Sequence, residues 1–351
     1  MAETVTLTPK QARKLIFEAL TGAGTAPRNA GYFTEAILDT ELSGLEGHGF
    51  YWLQYYCRHV KSGKVKGKVK PLVRKVSSVA FRADARQGFA HPAIEAGFAR
   101  LIPAAKKHGI AGLAVHNSYN AATLGYHTGH LARHGLVAFG FTNGPALMAP
   151  VGGHQPVIGT TPLSFAVPGS KGKLAFLIDQ SSTAVTWTAI KRAAEEGRAI
   201  PLGWAVDKDG NPTTDPNDYA KGGAILPVGA DQGHKGYGLS FMVEMFSGLL
   251  TGLGFGIDPQ ARHNDGVFIS VFQVENFRPL AQFKKEMKEF AEFVKTSPPA
   301  KGFTEVLYPG ELEYRTEQKR GKEGIFIEDE TWHEITELME GLKVTSKVGR
   351  P

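Results

Sequence analysis

Apolar positions spaced by three and four residues open the chain. Ala12, Leu15, Ile16 and Ala19 share one helical face behind Thr8-Pro9-Lys10-Gln11. That tetrapeptide joins a threonine N-cap, a proline at the first helical position and a capping-box glutamine. Phe33, Ala36, Ile37 and Thr40 form the stripe of a second helix. The pattern breaks at Gly47-His48-Gly49. A third helix is expected to turn Trp52, Tyr56 and Val60 inward and to end at Gly63. The middle of the chain changes period. Gly112 to Val115, Leu136 to Thr142, Leu163 to Val167 and Leu174 to Asp179 read as short buried strands, and Val267, Ile269 and Val271 alternate as a strand does. Helices are predicted from about Thr123 to His134 and from Val185 to Glu196, with a turn at Lys208-Asp209-Gly210-Asn211-Pro212. Leu280, Phe283, Met287, Phe290 and Val294 mark an amphipathic helix ended by Ser297-Pro298-Pro299, and a last helix is expected around Thr331 to Gly341. The order helical, mixed, helical implies an α/β protein with a central mixed sheet and a helical domain built from both termini. Residues 1–75 and 276–351 would form that domain, and 76–275 the α/β region.

Composition narrows the class. At 351 residues, with 42% hydrophobic and 21% charged positions, the chain has the make-up of an ordinary globular enzyme of two or three domains. The formal charge of +6 owes much to Lys61, Lys64, Lys66, Lys68 and Lys70. These read as a solvated edge after a helix, with an anion-binding patch as the alternative. No aromatics interleave with them, so no nucleic-acid partner is expected. Cys57 is the only cysteine, which excludes an intrachain disulfide and fits a reducing cytoplasm. The N-terminus lacks an apolar signal core. Leu239 to Ile257 is apolar but holds Glu244 and four glycines, so a buried helix followed by a loop is expected there and not a membrane span.

The chemistry concentrates at Gly233-His234-Lys235-Gly236-Tyr237-Gly238-Leu239. An imidazole and an ammonium group stand among glycines just before a predicted helix, where backbone can approach a ligand closely and the first amides attract anions. The usual dinucleotide fingerprint is absent: Gly252-Leu253-Gly254-Phe255-Gly256 follows an apolar helix and lacks the third glycine at the required spacing. The phosphate-cradling lysine loop is absent too. His127, His130 and His134 share a helical face, but no carboxylate or cysteine stands beside them, so a polar or interfacial face is preferred and no metal is expected.

Further motifs are collinear with the His-Lys-Gly segment: Gly47-His48-Gly49 after Thr40-Glu41-Leu42, Asn117-Ser118-Tyr119-Asn120 before Gly125-Tyr126, and Val151-Gly152-Gly153 before Gly159-Thr160-Thr161-Pro162. Gly203-Trp204-Ala205-Val206-Asp207 with Asn211-Pro212-Thr213-Thr214-Asp215-Pro216, and Tyr308-Pro309-Gly310-Glu311, complete the set. In this order and spacing the chain resembles the type-2 malate/L-lactate dehydrogenase family, from about Thr8 to Leu342. That family includes ureidoglycolate and sulfolactate dehydrogenases and the piperideine- and pyrroline-2-carboxylate reductases. The resemblance implies a non-Rossmann, sulfolactate-dehydrogenase-like fold, a homodimer, and a cleft that binds NADH or NADPH. It implies hydride transfer between nicotinamide and C2 of a small 2-oxo acid, 2-hydroxy acid or cyclic imine.

Residue by residue, the resemblance makes His48 the proton donor and acceptor, a role that suits an imidazole with an unperturbed pKa of about 6.5. Thr160 matches a substrate-contacting position. Asn120, Ala121, Ala122, Thr123 and Leu124, then Asp179, Gln180 and Ser181, then His234 and Lys235, and finally Pro309, Gly310 and Glu311 match cofactor-contacting stretches. Asp179 would accept ribose hydroxyls, or else cap a helix.

The chain also departs from the family. Relatives often carry Ser where Gly47 stands, Arg where Trp52 stands, and His where Asn120 stands. Trp187 and Ala189 replace a cation and an acid found in some of them. Trp cannot reproduce the bidentate grip of an Arg on a carboxylate, and offers an apolar wall with one N–H donor. If Trp52 and Trp187 face the substrate, a bulkier or less acidic compound than malate is expected. The alternative implied by these departures is a catalytically impaired nicotinamide-binding relative that acts by interaction.

Overall fold

The structure is a computed structural model that describes residues 5–170, 174–255 and 265–344. The chain begins with a short strand β1 (Val5–Leu7) and the helices α1 (Pro9–Gly22), α2 (Pro27–Leu42) and α3 (Phe50–Lys61). The capping box at α1 is formed: Gln11 N–H donates to Thr8 Oγ1 and Thr8 N–H to Gln11 Oε1, at 3.3 and 2.9 Å. Between α2 and α3 the predicted break is a single 3-10 turn, Glu46–His48. Along α3, Tyr56 is fully buried while Trp52 and Val60 are half-buried.

A seven-stranded sheet follows. Its strands are β2 (Leu72–Lys75), β3 (Ala80–Phe89), β4 (Ile110–Tyr119), β5 (Leu136–Thr142), β6 (Leu163–Pro168), β7 (Leu174–Gln180) and the later β11 (Asp265–Gln273), in the order β2-β3-β4-β11-β5-β6-β7. Among the described residues of this sheet, only β3 and β4 pair in parallel, joined by the crossover helix α4 (Ala90–His108), as a parallel pair requires. The strands expected from the apolar runs all lie in this sheet; β3 and α4 were not anticipated. Helix α5 (Leu124–Arg133) packs against β5 and β6.

After β7 come α6 (Trp187–Glu195), the small strands β8 (Ala205–Val206), β9 (Pro212–Thr213) and β10 (Ala224–Ile225), paired in the order β10-β8-β9, and a short α7 (Asn217–Ala220) between β9 and β10. Helix α8 (His234–Glu244) runs into a π turn, Met245–Leu249. The expected buried helix from Leu239 needs correction. The helix starts earlier, so His234 and Lys235 occupy its first turn, and Phe241, Met245 and Leu249 line an exposed apolar edge. Gly256 and Ile257 lie outside the described residues.

Helix α9 (Leu280–Val294) leans on the sheet through Phe290 against Phe176 of β7, with ring centroids 5.8 Å apart. Helix α10 (Glu311–Glu323), strand β12 (Ile325–Ile327) and α11 (Asp329–Gly341) end the described chain. Strand β12 pairs antiparallel with β1. One apolar core joins α1, α2 and α3 to β12 and α11, with Phe89 and Ala122 reaching in from the sheet side. A second core lies between the sheet and α4 and includes Ala121 and Leu124. The stretch 121–124 therefore sits where the two cores meet.

Candidate active site

His48 stands at the end of the 3-10 turn, one residue before the glycine that opens α3. Its side chain has exposed surface, yet enough protein surrounds the ring to disfavour the charged form: desolvation pulls its pKa from 6.5 down to about 4. The open face limits how far water is excluded, so the direction, toward a neutral imidazole at pH 7, is what the chemistry uses. Gly49 offers no side-chain cap to α3. The carboxylate of Glu41, at the end of α2, does so instead, accepting the Phe50 N–H at 2.5 Å. A Cβ at position 49 would fall 1.9 Å from Glu41 Oε1, so any side chain there would displace the carboxylate that caps α3.

Helix α3 connects this turn to two other predicted stretches. Trp52 meets Trp187, the first residue of α6, with ring centroids 5.8 Å apart. One turn further, Tyr56 OH donates to Asn120 Oδ1 at 3.5 Å. Thr40, in the last turn of α2, shares a 3.0 Å hydrogen bond with Thr123. The segment carrying His48 is thus tied on both sides to residues 120–123 and, through the tryptophans, to the start of α6.

Residues 120–125 form a strained turn. Asn120 and Ala122 have φ of 49° and 51°, left-handed values that non-glycine residues hold only under outside constraint. That constraint is visible: Asn120 N–H donates to half-buried Asp265 at 2.8 Å, and Ala122 N–H to Asn120 Oδ1 at 2.7 Å. Asp179 then accepts the Gly125 N–H at 2.7 Å, so its carboxylate caps α5 from the neighbouring strand. Pro309 and Gly310 lie against the same strand: Leu177 N–H donates to Pro309 O at 3.3 Å, and Gly310 (φ 87°) leaves a Cβ position only 2.9 Å from Leu177 N. Three stretches distant in sequence therefore converge on the end of β7. Glu311 itself is turned into an ion-pair group with Lys295 (2.5 Å) and Arg315 (2.6 Å).

Thr160 belongs to a second convergence. Its carbonyl accepts Ser182 N–H and Ser182 Oγ–H, each at 3.1 Å. Ser182 also bonds Thr161 and, at 2.7 Å, Ser240 of α8. Gln180 and Ser181 lead into this hydroxyl cluster, and α8 presents exposed His234 and Lys235 from its first turn. Among the described residues no group of three or more His, Cys, Asp or Glu is arranged to hold a metal ion. Of the histidine face on α5, His127 is fully buried beside His91, and His130 stacks on His134.

This arrangement can be set beside known proteins. Residues 7–336 match the malate/L-lactate dehydrogenase family. The chain belongs to this family. It is 30% identical over 344 residues to the malate/(S)-sulfolactate dehydrogenase of Methanothermus fervidus, covering 96% of this chain and 98% of that one. It is 38% identical over 252 residues to the Δ1-pyrroline-2-carboxylate reductase of Ancylobacter novellus, covering 72% of each chain. Its fold superposes on the malate dehydrogenase of Entamoeba histolytica with a TM-score of 0.93 at 26% identity, covering 98% of this chain and all of the other, and on the sulfolactate dehydrogenase of Methanocaldococcus jannaschii with a TM-score of 0.85 at 30% identity, covering 97% and 98%. As a member of the malate/L-lactate dehydrogenase family, the protein is an NAD(P)-dependent dehydrogenase or reductase acting on CH–OH or C=N groups, with the family's mixed-sheet α/β fold.

Within this dehydrogenase, sequence reasoning missed several supporting groups: Glu41 beneath the His48 turn, Asp265 beneath Asn120, and the Ser182–Ser240 pair beneath Thr160. It also missed Lys191, whose Nζ donates to Tyr51 OH at 2.5 Å and lies 5.8 Å from the Trp187 ring centroid. Asp179 shows how burial and function meet. Burial raises its pKa from 3.8 to about 7, the Gly125 N–H opposes this, and Glu313 and Asp39 add to it. The folded-state value lies above the unfolded one, so the native state holds the proton more tightly, and stability is lost as pH rises from about 4 through about 7. Asp179→Asn keeps an oxygen for Gly125 and removes the charge. It should raise stability at pH 8 by on the order of 2 kcal/mol, after allowance for partial solvent access, and by little at pH 4; urea midpoints at the two pH values test this.

Proposed function

We propose that the protein catalyses reversible hydride transfer between nicotinamide and C2 of a 2-oxo/2-hydroxy acid or cyclic imine, with His48 giving and taking the proton at the substrate oxygen or nitrogen. The observation that carries this reading is the placement of the solvent-open His48 turn, which α3 and Thr40 tie to both Asn120–Thr123 and the Trp187 end of α6. A neutral imidazole can accept the hydroxyl proton of a 2-hydroxy acid, and its protonated form can return it to the carbonyl oxygen.

The residues present fit a nicotinamide dinucleotide without a glycine fingerprint. An eleven-residue helix, α8, offers its N-terminus with Lys235 and His234 for an anionic diphosphate. The constrained backbone of Asn120, Ala121, Ala122, Thr123 and Leu124, the end of β7 at Asp179, Gln180 and Ser181, and the close-packed Pro309-Gly310-Glu311 turn supply polar groups for the sugars and base. When bound, the nicotinamide supplies or accepts the hydride. Thr160 would hold a carboxylate or carbonyl oxygen of the substrate.

Trp52 and Trp187 would line the substrate side. Their contact supports this, as does Trp52 Nε1, a buried donor with no hydrogen-bond partner that a substrate oxygen would satisfy. The pocket would then favour a bulky or aromatic 2-oxo acid. Turnover of phenylpyruvate, pyruvate and oxaloacetate with NADH and with NADPH tests the reading. We expect kcat/KM for the aromatic acid to exceed that for oxaloacetate by about tenfold or more, and Trp52→Arg to narrow or invert the ratio. A wild-type preference for oxaloacetate or malate would refute the tryptophan wall. Cofactor binding without turnover of any 2-oxo acid or imine would favour the binding-only reading.

A homodimer is part of this proposal, supported by the exposed apolar edge Phe241, Met245 and Leu249. A cytoplasmic setting is supported by the single, buried Cys57. No helix among the described residues is long and apolar enough to cross a membrane.

A further inference from the structure

Glu41 is an acid in the last turn of a helix, where the macrodipole disfavours it, and it is nearly fully buried. Both of its ends are engaged. Oε1 accepts the Phe50 N–H at 2.5 Å, and Oε2 lies 3.8 Å from Arg320, whose guanidinium also donates to the Glu41 carbonyl at 2.6 Å. Arg320 belongs to α10, the helix that begins at the Pro309-Gly310-Glu311 turn. A second contact of α10 reaches the same segment: a Cβ on Gly44 would stand 3.0 Å from Thr316 Cγ2. One carboxylate therefore fastens the N-terminus of α3, and with it the turn bearing His48, to the helix that starts at the cofactor-side turn.

We propose that Glu41, held by Arg320, is a positioning residue that fixes the His48 imidazole and links its place to the Pro309–Glu311 turn. The proposal rests on His48 as the proton-transfer group. Docking of the cofactor against that turn would move or steady α10, and Arg320 would pass the constraint to the His48 turn.

The chemistry of a carboxylate is needed. Its two oxygens face two donors, the Phe50 amide and the Arg320 guanidinium. A glutamine has one acceptor oxygen, so when it caps Phe50 its NH2 group meets Arg320 donor to donor. Arg320 approaches both the Glu41 carbonyl and its carboxylate with one nitrogen, Nη1, so Arg320→Lys keeps the charge but must bring an ammonium on a differently shaped side chain to that same point.

The test uses the full-length protein with NADH and its best 2-oxo acid. Glu41→Gln should lower kcat about 10- to 100-fold, because small misplacements of a reacting group cost that much. The dissociation constant for NADH and the substrate KM should stay within about twofold of wild type. Arg320→Lys should fall between the two. In a His48→Asn background, measured at its residual rate, Glu41→Gln should cost nothing further, since the two act as one unit. A Glu41→Gln enzyme that melts earlier but turns over within about twofold of wild type would reduce Glu41 to a helix cap and overturn the proposal. So would a double variant whose losses multiply. His48→Asn at the wild-type rate would remove the proton-transfer reading and this one together; an impaired His48→Asn with unaffected Glu41→Gln would remove this one alone.

Discussion

His48→Asn should lower kcat/KM for the preferred 2-oxo acid by about 10²- to 10⁴-fold, the range that a positioned acid–base group contributes. Asparagine approximates the shape of imidazole but cannot exchange a proton near neutrality. Cofactor affinity should be unchanged, because His48 is not part of any stretch assigned to the cofactor, and the residues that tie its segment to 120–123, Thr40 and Tyr56, are left in place. The pH dependence supplies a second check with a definite sign. Oxidation of the 2-hydroxy acid requires the neutral ring. The pKa of His48 is pulled below 6.5, so that direction should be nearly flat from pH 7 upward and fall only in acid. Reduction requires the protonated ring, so its rate should climb as pH falls. Both limbs should vanish in His48→Asn. A variant that keeps its rate and its pH profile would show that the proton moves elsewhere and would leave Thr160 and Lys235 as the groups to examine.

How far the sequence revealed this site depended on how local the signal was. The strands of the central sheet announce themselves as β-branched and aromatic runs, and the terminal helices as apolar stripes with a proper cap at Thr8. Strand β3 was equally legible in retrospect: Phe81, Ala83 and Ala85 are buried and alternate with Arg82, Asp84 and Arg86. Helix α4 carries Gly97 and Pro103 in its interior, residues that ordinarily interrupt a helical pattern, so its sequence signal is weak. At α8 the glycines at 233, 236 and 238 made the start of a helix look like a loop.

The site divides in the same way. Residue types at a motif could be read; their partners could not. Asp179 could be placed at a strand end, but its bond to Gly125 depends on β7 and the start of α5 lying together in the folded sheet. The meeting of Trp52 with Trp187 likewise depends on tertiary packing. Glu41 left a signal in the sequence: an acid at the wrong end of its own helix, a few residues before a helix whose N-cap is a glycine with no side chain to offer.

His127 makes a large pH-linked contribution to stability with a definite sign. Its ring is fully buried, Nε2 bonds Ala121 O at 3.2 Å, and Nδ1 has no hydrogen-bond partner. Desolvation lowers its pKa from 6.5 to about 4, the Ala121 carbonyl opposes this, and His130 adds to it. Between those values the unfolded chain takes up a proton that the native state refuses. The contribution is therefore complete above about pH 6.5, declines as pH falls, and levels off below about pH 4, for a total of about 3 kcal/mol. His91, stacked on Phe33 and 5.0 Å from the His127 ring centroid, is shifted in the same direction by burial and then by its neighbour. Asp39, Asp265 and Asp179 pull the other way, since burial raises each of them and acid relieves the cost. Wild-type stability alone would blend these effects, so the variant His127→Gln isolates one. Its urea midpoint should lie below that of wild type at pH 7.5, where an ill-fitting amide replaces a neutral ring, and the gap should close or reverse at pH 4.5. A gap of constant size across that interval would mean that His127 keeps an ordinary affinity for its proton inside the core. The wall behind Ala121 would then be wetter than the packing of His91, Phe98 and Tyr126 around it implies.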